Sequence, residues 1–402
     1  MIDPEDRFVS LMESYFGDPK IPTTQCFCNV WDWDQLRMIK IKGTARIFPP
    51  EEDKQLDIVA QFADYLSLDV CAISVDDNGL LTGPSTDPEE DDTRHVGHIP
   101  FSLCDSIANC PKMKLSEIQS LDRLGAGVDL VLIPSEGKKV AFKFNPLKLP
   151  PRLEMAWKEV NILSKLPQHP NIVPFDRIVL EDVESRVIGF TTKYIPCQPL
   201  STTSGRPFRL EWLQQLTQLV DFLNLDLGIM HQDIAPRNLL IDPETDKILL
   251  FDFDWAVNGK NGLEEGRDDI ITKDTHFTKI PHWARSIDIV QNIEWECHCE
   301  LDHDVSIFRE FLNEWIATRS DKETNMERFL NAPNRLTWPS YPTPPEYGVP
   351  DELGTKSDGT PSWITGTRSR RAALKLGQYS FRWERPPQSR LLKMASNIKS
   401  DS

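Results

Sequence analysis

Hydrophobic and polar positions change period twice along this chain. Residues 25–33 and 37–48 carry strand-like runs, and residues 70–75 another short one. Between them, residues 51–68 place Leu56, Val59, Ala60, Ala63 and Leu66 at helical spacing, which predicts an amphipathic helix. Residues 83–94 are acidic and rich in Pro, Ser and Thr, and read as a loop. Strand character resumes near Ile118 and continues through Phe144, followed by a helix over 152–166 with Leu153, Ala156, Trp157, Val160, Leu163 and Leu166 as its apolar face. Strands at 178–180 and 187–194 come next. Beyond Leu200 the period lengthens, and Leu210, Leu213, Leu216, Leu219, Val220 and Leu223 line one face of a long helix. Two apolar runs, 239–241 and 247–251, flank Asp242-Pro243-Glu244-Thr245-Asp246, whose turn chemistry predicts a short hairpin. Residues 304–318 repeat Val305, Phe308, Phe311, Leu312 and Trp315 as a further amphipathic helix, and 326–330 suggest a last short one. From Pro333 to Pro361 proline recurs as in an extended, wrapping tail.

A mostly-strand region followed by a mostly-helix region is the order of a two-lobed α+β protein. The expected division is residues 1–115 as an α/β extension, 116–330 as the central domain with lobes at 116–195 and 196–330, and 331–402 as a Pro-rich, basic tail. Nucleotides commonly bind at the junction of two such lobes. With 402 residues, 39% hydrophobic and 27% charged, the chain is long and apolar enough for two or three globular domains. Its formal charge of −17 argues against a general nucleic-acid binder. That charge is uneven: from Asn331 onward 11 Lys and Arg meet 6 Asp and Glu, leaving the tail near +5 and the rest near −22. Such a tail suits an acidic partner or the acidic body itself, although a solvated, partly mobile tail is the plainer expectation. The acidic start, Met1-Ile2-Asp3-Pro4-Glu5-Asp6, has no secretory character, and no apolar run reaches membrane length. Eight scattered cysteines suggest a reducing compartment, cytoplasmic or nuclear. Arg368-Ser369-Arg370-Arg371 is a short basic run of the kind that can serve as a nuclear address.

Candidate chemistry concentrates in His231-Gln232-Asp233-Ile234-Ala235-Pro236-Arg237-Asn238 and Leu250-Phe251-Asp252-Phe253-Asp254. The hairpin would hold Asn238 and Asp252 at neighbouring strand ends, where oxygen ligands could share a magnesium ion. This arrangement resembles the catalytic loop and metal-binding Asp of the protein-kinase-like phosphotransferases. Upstream segments extend the resemblance. Leu124-Gly125-Ala126-Gly127-Val128-Asp129-Leu130 is similar to the glycine-rich loop, Val140-Ala141-Phe142-Lys143 to the third-strand lysine motif, and residues 166–173 to the linker after the regulatory helix. Thr192-Lys193-Tyr194-Ile195-Pro196 resembles the hinge, with Thr192 at the gatekeeper position. Singly, each feature has an ordinary explanation: a tight turn, an edge lysine, a solvated glutamate, a capping Asp or Asn. The ordered series is what distinguishes them.

What the resemblance implies, over roughly residues 118–330, is an α+β kinase-like fold with ATP and Mg2+ as cofactors. Gly125 and Gly127 would cover phosphates, and Lys143 would neutralise them. Glu159, with Glu154 as a second candidate, would orient Lys143. Backbone groups near Lys193 and Ile195 would hold adenine. Asp233 would align the acceptor, and Asn238 and Asp252 would hold metal. The acceptor is expected to be a protein hydroxyl; a small metabolite, or no acceptor in a catalytically impaired binding module, are the alternatives.

Departures are also visible. Leu130 stands at the third glycine position. Gln232 replaces the arginine that often binds a phosphorylated activation loop, and Ala235-Pro236-Arg237 resembles the tyrosine-kinase version. Asp254 replaces a glycine, as in small-molecule kinases of the superfamily. Gly266-Arg267-Asp268-Asp269-Ile270-Ile271 resembles the start of the helix under the catalytic loop, but few apolar residues follow, predicting a less stable lobe and impaired catalysis. Cys297-His298-Cys299 with His303, like Cys26 with Cys28, is spaced poorly for zinc.

Overall fold

The computed structural model describes residues 2, 4–15, 20–48, 54–93, 98–145, 150–202, 205–258, 299–323, 331–342, 348–355 and 361–365, with single positions at 371, 375, 377, 383, 385, 387, 388 and 391. The expectations for residues 266–271, 326–330 and 368–370 lie outside these. The chain forms two compact units. The first comprises residues 1–153, 178–191 and 342–402; the second comprises 154–177 and 192–341.

The first unit contains two large sheets. Its N-terminal sheet has five strands in the order β1 (Phe8–Tyr15), β2 (Gln25–Asp32), β3 (Arg37–Thr44), β4 (Ala72–Val75) and β5 (Leu81–Ser85), after a one-turn helix α1 (Pro4–Arg7). Only β3 and β4 run parallel, and helix α2 (Lys54–Phe62) makes the crossover that parallel pairing requires. Ile39, Ile41, Ile58, Val59 and Ile73 close the core against this helix, with Cys26 and Cys28 buried among them. Burial pushes the Cys28 thiol up to about 12, so it serves as packing rather than as a ligand or nucleophile. Residues 81–85 correct the expected loop: despite Gly83 and Pro84 they pair with β4 at the sheet edge, where proline needs no partner for a missing N–H.

The second sheet has six strands, in the order β6 (Lys112–Lys114), β10 (Phe175–Leu180), β11 (Val187–Lys193), β9 (Lys138–Phe144), β8 (Val128–Ile133) and β7 (Gln119–Gly125), of which residues 175–177 and 192–193 are counted with the second unit. Val131, Ile133, Val140, Phe142 and Phe144 bury one face with Trp31 and Met38. Trp383 packs there as well, 4.5 Å from the Phe144 ring centroid. Arg385 is buried beside it and binds Asp129 and the carbonyls of Trp33 and Asp34. Arg371 and Lys375 pair with Glu89. Among the described tail residues, Arg371, Lys375 and Arg385 are therefore not simply solvated: they find acidic partners in the same unit.

The second unit is built on helices α3 (Pro150–Leu163, whose first residues belong to the first unit), α4 (Leu210–Asp221) and α5 (Val305–Glu323). Trp212, Leu213, Leu216, Leu219 and Val220 form the buried face of α4, as the leucine spacing predicts, and a π-helical turn, Phe222–Asp226, ends it. Phe208 packs against Trp212 and Phe308 of α5. Four short strands complete this unit: β12 (Ile229–Met230) pairs β15 (Val257–Asn258), and β13 (Leu239–Ile241) pairs β14 (Ile248–Leu250). Strands β16 (Gly348–Thr355) and β17 (Pro361–Thr365) form a separate hairpin in the first unit. Among the described residues, no helix is long and apolar enough to cross a membrane.

Candidate active site

The β13–β14 hairpin sets the geometry. Asp242 seeds its turn, accepting the Glu244 N–H at 3.0 Å and the Thr245 hydroxyl at 2.9 Å. Burial raises the Asp242 carboxyl, but these donors and Lys193 outweigh it and hold the group below its ordinary value. Residues 171–173 anchor the hairpin: Asn171 donates to the Ile248 carbonyl at 2.8 Å, and the Val173 N–H donates to Leu250 at 3.0 Å. With Leu239 opposite Leu250, the strand ends place Asn238 beside residues 251–252. The Phe251 N–H donates to the Asn238 carbonyl at 3.2 Å.

His231 is the pivot of the loop. It is buried, and the Asp233 N–H donates to its Nδ1 at 3.3 Å. Nε2 therefore carries the proton and donates to the Phe251 carbonyl, 3.1 Å away. Its ring packs edge-on against Phe253 at 4.6 Å. Gln232 and Asp252 both take left-handed backbone, at φ 64° and 65°. Non-glycine residues adopt that region at a cost of about 1–3 kcal/mol, and such strain is concentrated at functional sites.

Asp233 and Asn238 interlock. The Asn238 amide nitrogen donates to the Asp233 carbonyl at 2.9 Å and to its Oδ2 at 2.7 Å, while Arg237 pairs with Oδ1. Because the nitrogen is occupied in this way, Oδ1 is the atom Asn238 has available for a cation. An amide oxygen together with the Asp252 carboxylate suits magnesium, which commonly takes one or two protein oxygens and fills its octahedron with phosphate and water. Among the described residues, no group of three His, Cys, Asp or Glu side chains forms a metal cage. Cys297 and His298 lie outside the described residues, and His303 pairs with Asp302 at 2.9 Å.

Glu159 is buried in α3, and its Oε1 accepts the Phe253 N–H at 3.0 Å, whereas Glu154 is exposed. The neighbouring Lys158 had no motif to mark it. Burial lowers its pKa while Asp254 and Glu159 oppose that, so α3 presents charge to the 252–254 segment from two consecutive residues. Arg237 was marked only as part of the Ala235-Pro236-Arg237 run; its pairing with Asp233 was not expected, although their spacing of four was a usable signal.

Thr192 is half-buried and Lys193 exposed at the end of β11. The Lys193 N–H is donated to Pro174 at 2.9 Å, and the Ile195 carbonyl accepts Cys197 at 2.8 Å. Ile195 itself packs with Val173 and Leu249. In the first unit, Lys143 pairs with Val128 and is half-buried between the buried Phe142 and Phe144, so it projects from the opposite face. The two glycines differ. At Gly127, φ is 73° and a Cβ would meet the Phe144 carbonyl at 2.8 Å, whereas a Cβ at Gly125 meets nothing within 4 Å. Only Gly127 is required by the turn. Lys143, Gly125 and Gly127 belong to the first unit; Glu159, Thr192, Lys193, Ile195, Asp233, Asn238 and Asp252 belong to the second.

The family model described as the protein kinase domain matches residues 124–278. Casein kinase II subunit alpha' of Saccharomyces cerevisiae is 31% identical over 110 residues, covering 27% of this chain and 32% of that protein. A probable serine/threonine-protein kinase of Dictyostelium discoideum is 36% identical over 106 residues, covering 24% of this chain and 10% of the relative. CBL-interacting serine/threonine-protein kinase 5 of Arabidopsis thaliana is 27% identical over 133 residues, or 32% and 28% of the two chains. The chain thus spans about a third or less of these relatives. It carries a protein-kinase-like domain of α+β fold.

Proposed function

We propose that the chain transfers the γ-phosphate of ATP to a hydroxyl group on a protein. The observation that carries this reading is the Asp233–Asn238 interlock beside Asp252, inside the segment matched by the kinase family model. Lys143 neutralises phosphate oxygens, and Glu159 orients it. The Gly125–Gly127 turn covers the phosphates, and the backbone near Thr192, Lys193 and Ile195 receives adenine. Asn238 and Asp252 hold Mg2+, which supplies charge neutralisation when bound. Asp233 accepts the acceptor's proton as its oxygen bonds to the γ-phosphorus, while the bond to the β–γ bridging oxygen breaks and ADP leaves with that electron pair. The serine/threonine kinases among the relatives support a protein acceptor. The compartment that goes with this reading is cytoplasmic or nuclear, in keeping with the free cysteines among the described residues.

A small-molecule acceptor is the second reading, favoured by Asp254. Labelled ATP offered to peptide and metabolite pools separates the two by where label appears. A non-catalytic binding module is tested by heat: ATP should raise the unfolding midpoint only with Mg2+ present, and Asp252→Asn should remove the magnesium dependence. A folded chain whose midpoint ignores ATP and Mg2+ would defeat the ATP reading.

A further inference from the structure

Residues 331–341 contain no helix or strand, yet they are held at both ends within the second unit. Near the start, the Asn334 N–H donates to the Asp226 carbonyl at 3.0 Å, and its amide donates to the Asp226 carboxylate at 2.9 Å. The Leu336 N–H then donates to the Leu227 carbonyl at 2.9 Å, with the Leu336 side chain buried. Asp226 and Leu227 close the π-helical turn after α4, where carbonyls lack helical partners, so the segment satisfies a helix terminus. Two residues after Leu227 the chain enters β12, which leads into His231 and the catalytic loop.

At the far end, the Trp157 indole N–H donates to the Pro339 carbonyl at 3.0 Å, and the Tyr341 ring meets Trp157 edge-on at 6.3 Å. Trp157 is 5% exposed and lies two residues before Glu159 on the same helix. Pro333 and Pro339 fix φ at two positions, which lowers the entropy cost of holding an extended segment. One short stretch thus ties the helix that grips Phe253 to the turn that feeds the catalytic loop.

We propose that residues 332–341 are a positioning strap for the candidate active site. Anchored at Asp226 and Leu227, they grip Trp157 so that α3 keeps Glu159 on the Phe253 N–H and thereby fixes Asp252. Trp157, Asn334 and Tyr341 are positioning residues in this scheme. The catalytic consequence rests on the phosphotransferase reading above; the mechanical coupling does not.

The test uses the full chain and two readouts. Hydrogen exchange should accelerate about ten-fold at α3 and at the Phe253 amide in an Asn334→Ala/Tyr341→Ala variant, the scale of losing one or two hydrogen bonds with their packing. Exchange in β13 and β14 should stay at the wild-type rate. Trp157→Phe, which removes the indole donor and also shrinks a buried ring, should accelerate exchange in the same places, and Tyr341→Phe, which keeps the ring that meets Trp157, should leave exchange at the wild-type rate. With Mg·ATP, kcat should fall by more than KM rises. Unchanged exchange at α3 and Phe253, or equal acceleration throughout the second unit, would overturn the strap. If the wild type shows no turnover, the phosphotransferase reading fails, while the exchange comparison still decides the strap.

Discussion

Two clusters of aspartate and arginine in this molecule use the same side chains in opposite ways. In the second unit, Asp233 is partly exposed and Arg237 is 61% exposed, with Asn238 fixing one carboxylate oxygen. In the first unit, Arg123, Asp129, Asp34 and Arg385 are almost wholly buried; Arg123 reaches Asp34 at 3.3 Å, and Arg385 pairs with Asp129. Burial raises the Asp129 carboxyl against the pull of Arg385 and Arg123, and it brings Arg385 down to about 10 against the pull of Asp129. Desolvation thus costs both charges, and the gain is a fixed position for Arg385. The first cluster keeps its polar atoms where a substrate can reach them; the second encloses them. Accessibility, more than charge, separates a candidate for chemistry from a structural clasp.

The strongest way to sharpen this contrast is Arg385→Ala. It leaves Asp129 charged and enclosed, and should lower unfolding stability by about 3–5 kcal/mol. Replacing both partners together, as Asp129→Leu with Arg385→Met, should recover most of that loss, because the enclosed cluster has no chemical duty. A smaller effect separates the two glycines of the β7–β8 turn. Gly127→Ala should cost more than about 1 kcal/mol, since φ is positive and the Phe144 carbonyl blocks a Cβ. Gly125→Ala should leave stability within about 0.5 kcal/mol, its cost appearing instead as a higher KM for ATP.

The smallest effect is acid-dependent. The folded-state pKa of Asp242 lies below the unfolded value, so its stabilisation is present above the unfolded pKa and is lost as pH falls through the folded one. The unfolding midpoint of Asp242→Asn should consequently fall less steeply than that of the wild type between about pH 5 and pH 3. Parallel acid limbs would contradict the role given to this turn.

How legible these regions were in the sequence follows from distance along the chain. The stretch from His231 to Asp254 could be read because the hydrogen bonds made within it join residues at most about twenty apart, in the order of a known motif. The α4 face could be read because burial there follows one helical period. Arg385 with Asp129 could not, because 256 residues separate partners that share no periodicity. Strand β1 drew no expectation; it is defined by pairing with β2, and β5 was hidden by Gly83-Pro84, which reads as a loop until an edge position is known. The strap at 332–341 looked only like proline-rich sequence, since three of its anchors are backbone carbonyls, and its side-chain contacts reach residues more than a hundred positions away.

The central claim is that Asp233 works in phosphoryl transfer and is not merely a turn residue. The direct measurement is phosphate transfer from γ-labelled ATP with Mg2+ to a peptide pool, comparing wild type with Asp233→Asn. The substitution keeps a side-chain oxygen and the fold but removes the base, so the rate should drop by about 10²–10⁴-fold with an unchanged unfolding midpoint. Equal label incorporation by the two proteins, or none by a folded wild type, would contradict it.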